Sequence, residues 1–241
     1  MRACPVGLIQ SSFSDGGRGG SGGARAAGDL GRYLETQAVN VESALLNVAV
    51  FWGLVTPHEY AHAWVAAKLG DETPRRDGRL TLNPLAHADW LGTVLLPLFT
   101  SLGGYGFLGW GRPVRTNAGA LRGGLRGLAL VSLAGPTGNL LLAIALGAVA
   151  AVAARSAPTL FYLLERAVWL SVYLALFNLL PVPPLDGSKL LVLLRLPPVV
   201  YEQAERFGLL ILFGAVIALD LVRWLSLASW TGARLILGWF V

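Results

Sequence analysis

The chain has 241 residues, of which 54% are hydrophobic and only 14% are Asp, Glu, Lys or Arg, with a mean hydropathy of +0.59. Soluble domains carry about 25% charge, so this composition excludes an ordinary cytosolic enzyme, a secreted disulfide scaffold and most nucleic-acid readers. The formal charge of +5 is assigned to Arg-rich loops facing anionic lipid, with no nucleic-acid partner, and the single Cys4 cannot close an internal disulfide.

Charge is missing altogether from Trp90 to Gly111, Gly127 to Ala154 and Ala167 to Leu185. About 20 apolar residues in a helix cross a bilayer core, so the expectation is an all-α multi-pass membrane protein in contact with the lipid bilayer. Residues 1–36 read as a Gly/Ser-rich disordered tail without the apolar core of a signal peptide. Residues 37–241 read as one membrane-embedded domain. The first span runs from Val41 to about Leu69, with Pro57 as a local kink. A polar loop follows from Asp71 to Asp89. Leu91 to Trp110 is apolar but interrupted by Pro97 and several glycines, and Arg112 to Arg126 is a loop whose only charges are Arg. Three further apolar segments are expected at about 127–154, 160–185 and 207–223, before a Trp-rich end, so that one or two C-terminal helices follow the core.

Orientation turns on the segment 91–110. If it crosses the bilayer, the loops on either side carry equal numbers of cations, four and four, and the positive-inside rule is undecided. If it enters and returns, both loops share a face with Lys189, Arg195 and Arg206, and only Arg155 and Arg166 lie in the opposite short loop. The second arrangement is favoured, as a re-entrant or interfacial hairpin packed on the other helices.

The sharpest chemical signal is His58-Glu59-Tyr60-Ala61-His62. Positions i and i+4 share a helix face, so both imidazoles can hold one Zn²⁺ while Glu59 stands beside it without ligating. An ionised Glu inside an apolar helix is costly without a partner, which weakens the reading of these residues as ordinary surface positions. A third protein ligand is required. The possible donors are His87, the loop acids Asp71, Glu72, Asp77 and Asp89, and, in the apolar half, Glu165 and Asp186. Asp186 is selected because it ends an uncharged run and lies in Asn178-Leu179-Leu180-Pro181-Val182-Pro183-Pro184-Leu185-Asp186-Gly187. The prolines must break the helix there, releasing side chains and carbonyls for a site.

With Ala134-Gly135-Pro136-Thr137-Gly138-Asn139 on the second core helix, these motifs resemble, in content and order, the site-2 proteases, a family of intramembrane zinc metalloproteases. The resemblance implies a three-helix core over about 41–195, zinc held by His58, His62 and Asp186, Glu59 as the catalytic acid/base, and Asn178 helping to position the substrate backbone. It places the chain with the core-only branch, without PDZ or CBS modules. Asn139 either orients a ligand or bonds across to a neighbouring helix, and Gly135-Pro136 reads as a packing notch. The implied function is endoproteolysis of transmembrane proteins or membrane peptides, with the active site toward the cytoplasmic side of the cell membrane. A helical substrate must unwind to react, and the Gly-rich hairpin or residues 181–186 can accept it as an added strand. The competing reading is a non-catalytic zinc-containing membrane protein that binds transmembrane helices.

Overall fold

The computed structural model describes residues 41–103, 107–194 and 198–240. The expected tail, 1–36, lies outside the described residues, as do Gly104, Gly106 and Arg195 of the segments discussed above. Helices α1 (Val41–Lys68), α2 (Leu96–Leu102), α3 (Leu125–Ser156), α4 (Pro158–Asn178), α5 (Asp186–Leu190), α6 (Pro198–Ala218) and α7 (Leu221–Gly238) make up the framework. No strand occurs among the described residues.

Two helices, α3 and α4, are long and apolar enough to cross a membrane, and Glu202–Ala218 with Leu221–Gly238 adds a third candidate as a pair bent by 77°. At 28 residues, α1 is about 42 Å long, but the polar His58-Glu59 and His62 interrupt its apolar run. Pro57 lies inside α1 without ending it.

Side-chain size sets the packing of α1, α3 and α4. Ala63 and Ala66 of α1 and Ala143, Gly147 and Ala150 of α3 are fully or almost fully buried, the small-residue arrangement by which apolar helices approach closely. The contacts run in opposite orders along the two helices: His62 bonds the Val131 carbonyl, His58 lies by Gly135, and the Pro57 carbonyl lies by Gly138. The two helices are therefore antiparallel. The α4 helix returns beside both, with Ser171 donating to the Asn139 carbonyl and Arg166 to the Ser43 carbonyl. Trp169 of α4 stacks on Trp230 of α7 at 5.7 Å.

Between α1 and α3 the chain leaves and comes back to one end of the bundle. The Arg122 N–H donates to the Leu69 carbonyl at 2.8 Å. Within this excursion, a π-helical turn (Trp90–Leu95) continues into α2, and the extended segment after it runs back alongside. Trp110 N–H donates to the Gly92 carbonyl, Thr93 Oγ1 to the Trp110 carbonyl, and Arg112 N–H to the His87 carbonyl. The apolar arm is thus a hairpin whose two ends meet. Its far end packs on the bundle through Phe107, which lies edge-on to Phe51 and to Tyr173.

The end of the chain resolves the number of C-terminal helices. One or two C-terminal helices are expected after the core, and two are present, broken at Asp220, which adopts the left-handed conformation at φ 48°. The break is legible afterwards in chemistry: Asp is among the few residues that tolerate that region, and Arg223 pairs with it at 3.7 Å across the first turn.

Candidate metal centre

His58 and His62 stand one turn apart on the α1 face that meets α3, and both are buried. Asp186 reaches the same point from the other side. The α4 helix stops at Asn178, where the proline-rich segment cannot continue it, and the chain turns back so that Asp186 opens α5. Gly187 makes the turn possible: a Cβ there would overlap the Leu179 and Leu180 carbonyls. Ser132 of α3 donates to the Asp186 backbone carbonyl, and Lys189 Nζ holds Asp186 Oδ1 at 3.1 Å, leaving Oδ2 free to face the histidines.

The three donor atoms form a nearly equilateral triangle. His58 Nε2 and His62 Nε2 are 3.2 Å apart, and Asp186 Oδ2 lies 3.2 Å from the first and 2.9 Å from the second. His62 Nδ1 is 2.7 Å from the Val131 carbonyl. A carbonyl only accepts, so the ring carries its proton on Nδ1 and turns the Nε2 lone pair inward. A single proton can bridge two of the three atoms but not all three. A tetrahedral metal with bonds of about 2.0–2.2 Å needs donors about 3.3–3.6 Å apart, slightly wider than the observed separations, and the His-His-carboxylate set is the chemistry of an open, catalytic zinc site. The residues present therefore fit a metal ion.

Glu59 is buried but stands outside this donor set. It shares with the three donors a cavity of about 260 Å³, also lined by Asn178, Lys189 and Pro113. Gly111 of the returning hairpin arm lies directly against the Glu59 carboxylate.

The other expected positions are distributed as follows. Asn178 lines the cavity, its Nδ2 donating to the Leu174 carbonyl at 2.9 Å. Asn139 is fully buried one turn beyond Gly135, does not line the cavity, and has no hydrogen-bond partner for its side chain among the described residues. His87 is buried in the loop, its Nε2 2.8 Å from the Thr81 carbonyl, away from the donor cluster. Burial pulls its imidazole below the usual range, partly opposed by that hydrogen bond.

Three site residues were not legible as such. Gly135, read as a packing notch, presses against both histidines: a Cβ there would overlap the imidazoles of His58 and His62. Ser132 lies one helix step before it. Lys189 could have been found from its i+3 spacing to Asp186.

A helical protein with two or three candidate membrane spans and a buried His-His-Asp cluster beside a non-ligating Glu has the make-up of a membrane metallohydrolase. The profile of Peptidase family M50 matches residues 147–219, a stretch that includes Asn178 and Asp186 and leaves out the histidine motif. The chain is 39% identical over 171 residues to YwhC of Bacillus subtilis, assigned by name to the zinc metalloproteases; the match covers 65% of this chain and 73% of that relative. It is 34% identical to Rip2 of Mycolicibacterium smegmatis, over 69% of this chain and 64% of the relative. Rip2 of Mycobacterium tuberculosis is 37% identical over 141 residues, 54% of this chain and 49% of the relative; both Rip2 proteins carry the same class name. No solved structure matches. The chain belongs to Peptidase family M50, the site-2 proteases, and is a metalloprotease.

Proposed function

We propose that this chain is an intramembrane zinc endopeptidase that hydrolyses peptide bonds of transmembrane proteins or membrane peptides, with one Zn²⁺ per chain held by His58, His62 and Asp186. The observation that carries the reading is the donor triangle, every side 2.9–3.2 Å, with an unliganded Glu59 on the same cavity. When bound, zinc supplies Lewis acidity toward the scissile carbonyl and makes water a competent nucleophile near pH 7.

The protein's own groups supply the rest. Glu59 takes the proton of the attacking water and returns it to the leaving amine. Gly111 leaves no side chain between the returning hairpin arm and that carboxylate. Val131, through the His62 bond, and Lys189, through Asp186 Oδ1, hold two of the three ligands in orientation, an outer-shell contribution worth about 10- to 100-fold in metal affinity. Asn178, on the cavity wall, is assigned to the substrate backbone. Asn139 lies away from the cavity, which counts against substrate contact, and its side chain makes no bond across to a neighbouring helix among the described residues. The substrate must unwind locally, and the extended arm after Phe107 offers it backbone partners by strand addition.

In this reading residues 37–241 form one multi-pass membrane domain with the active site toward the cytoplasm, because the loops that meet at Leu69 and Arg122 carry eight Lys and Arg against two, Arg155 and Arg166, in the short loop at the opposite end. Metal analysis of the purified protein tests it. One zinc per chain is expected in the wild type, with loss of most of it in His58→Ala and Asp186→Ala. Cleavage of a reconstituted transmembrane peptide should stop on chelation and return with zinc. A wild type that binds zinc but never cleaves would favour the non-catalytic helix-binding alternative.

A further inference from the structure

The hairpin arm that walls the metal cavity has a second face. Pro113 lines that cavity and also a neighbouring recess of about 470 Å³, whose other lining residues are Asp77, Arg79, Arg112 and Arg115. Three guanidinium groups against one carboxylate leave the recess at a formal +2. The carboxylate is already engaged: both Asp77 oxygens accept from Arg115, at 2.9 Å each, in a fork-on-fork pair. Arg79 is buried and donates to the Ala86 carbonyl. Arg112 is exposed, and its backbone N–H is fixed to the His87 carbonyl at 2.9 Å. Neither Arg79 nor Arg112 has an ion-pair partner among the described residues.

Two unneutralised guanidinium groups held together are electrostatically unfavourable unless an anion joins them. Burial first, and the like charge of Arg112 next, pull Arg79 below its ordinary value, while Glu59 and Asp77 oppose the shift.

We propose that this recess is an anion subsite of the peptidase, which reads an acidic side chain of the substrate close to the scissile bond through Arg112 and Arg79. The inference rests on the peptidase reading above. Its distance scale follows from the arm itself. Gly111 touches Glu59, and Arg112 and Pro113 follow directly. An extended substrate advances about 3.3 Å per residue beside them, so the acidic residue falls about two to four positions from the cleaved bond. A peptide is favoured over a lipid headgroup because the recess shares a wall residue with the metal cavity and has a buried Arg79 in its lining.

The test uses the full chain in phosphatidylcholine vesicles, with and without phosphatidylglycerol, and three transmembrane peptides that differ only in having Asp, Asn or Lys at one juxtamembrane position near the cut. The wild type is expected to prefer Asp over Asn by on the order of 10-fold, the scale of one charge-assisted hydrogen bond, with the difference in KM. Arg112→Gln should erase the preference and Arg112→Glu should turn it toward Lys. Arg126→Gln, outside the recess, should keep the wild-type order. The same order should appear when peptide binding to the Glu59→Gln variant is followed by fluorescence anisotropy. An Asp preference that persists in both Arg112 variants, or an Arg112 effect equal for all three peptides and seen only with phosphatidylglycerol, overturns the proposal; the second outcome identifies a lipid contact instead. Wild type that binds the peptides with the Asp preference but cuts none contradicts the peptidase reading and leaves the subsite standing.

Discussion

Gly135 concentrates, in one residue, the constraint that the His58-His62-Asp186 cluster places on its neighbours. The helix α3 comes so near to His58 and His62 that a methyl group has no place between them. Gly135→Ala is therefore expected to lower metal affinity on the order of 10- to 100-fold, as loss of second-sphere support does, while the helical content stays unchanged; zinc titration and circular dichroism of the same sample check both halves. The three residues that meet in this cluster were legible in the sequence because each is expensive where it stands. Two histidines at i and i+4 and an acid at the end of a nineteen-residue uncharged run announce themselves against an apolar background. Gly135 was not legible, since a glycine beside a proline in an apolar helix reads equally well as packing. Only its position opposite the histidines, a tertiary fact, separates the two.

At the scale of elements, the turn between α4 and α5 decides where Asp186 points. Gly187 lies against the Leu179 and Leu180 carbonyls, so Gly187→Ala should displace Asp186 and release the metal without unfolding α4; the measurement is zinc content beside thermal stability, with a clear fall expected in the first. A second prediction concerns the loop between α1 and the hairpin. Burial raises the Asp71 carboxyl, but bonds from Thr73 and from the Asn117 N–H, with Arg76 nearby, outweigh it and hold the group below its ordinary value. A carboxylate with a depressed folded-state value stabilises above its unfolded value of about 3.9 and loses that contribution as pH falls further. Asp71→Asn should thus cost about 1–3 kcal/mol near neutral pH, and its thermal stability should fall less steeply than that of the wild type between about pH 5 and 3. The proline-rich break and the first two long helices followed from the sequence. The break at Asp220 did not, because apolar residues lie on both sides of it and only its backbone angle marks it.

At the scale of the whole molecule, the return of the chain from Leu69 to Arg122 puts the ends of α1 and α3 together, the same parity that the Arg and Lys counts require of a hairpin that enters and returns. In a Cys4→Ser background, Arg75→Cys and Arg126→Cys should both be labelled by an impermeant thiol reagent from the cytoplasmic side, and Thr159→Cys from the opposite side. Labelling of Arg75→Cys and Arg126→Cys from different sides would mean that the segment between them crosses the membrane. The positions of the charges carried this part of the architecture in the sequence; the partnership of the hairpin with Phe51 and Tyr173 did not, because aromatic contacts between distant segments leave no periodic trace. The central claim is that Glu59 does chemistry at a metal it does not bind. It is tested most directly by cleavage of a reconstituted transmembrane peptide by Glu59→Gln, with zinc counted in the same preparation. The expected result is one zinc per chain and a loss of cleavage of at least about a hundredfold. Undiminished cleavage, or zinc lost together with activity, would contradict it.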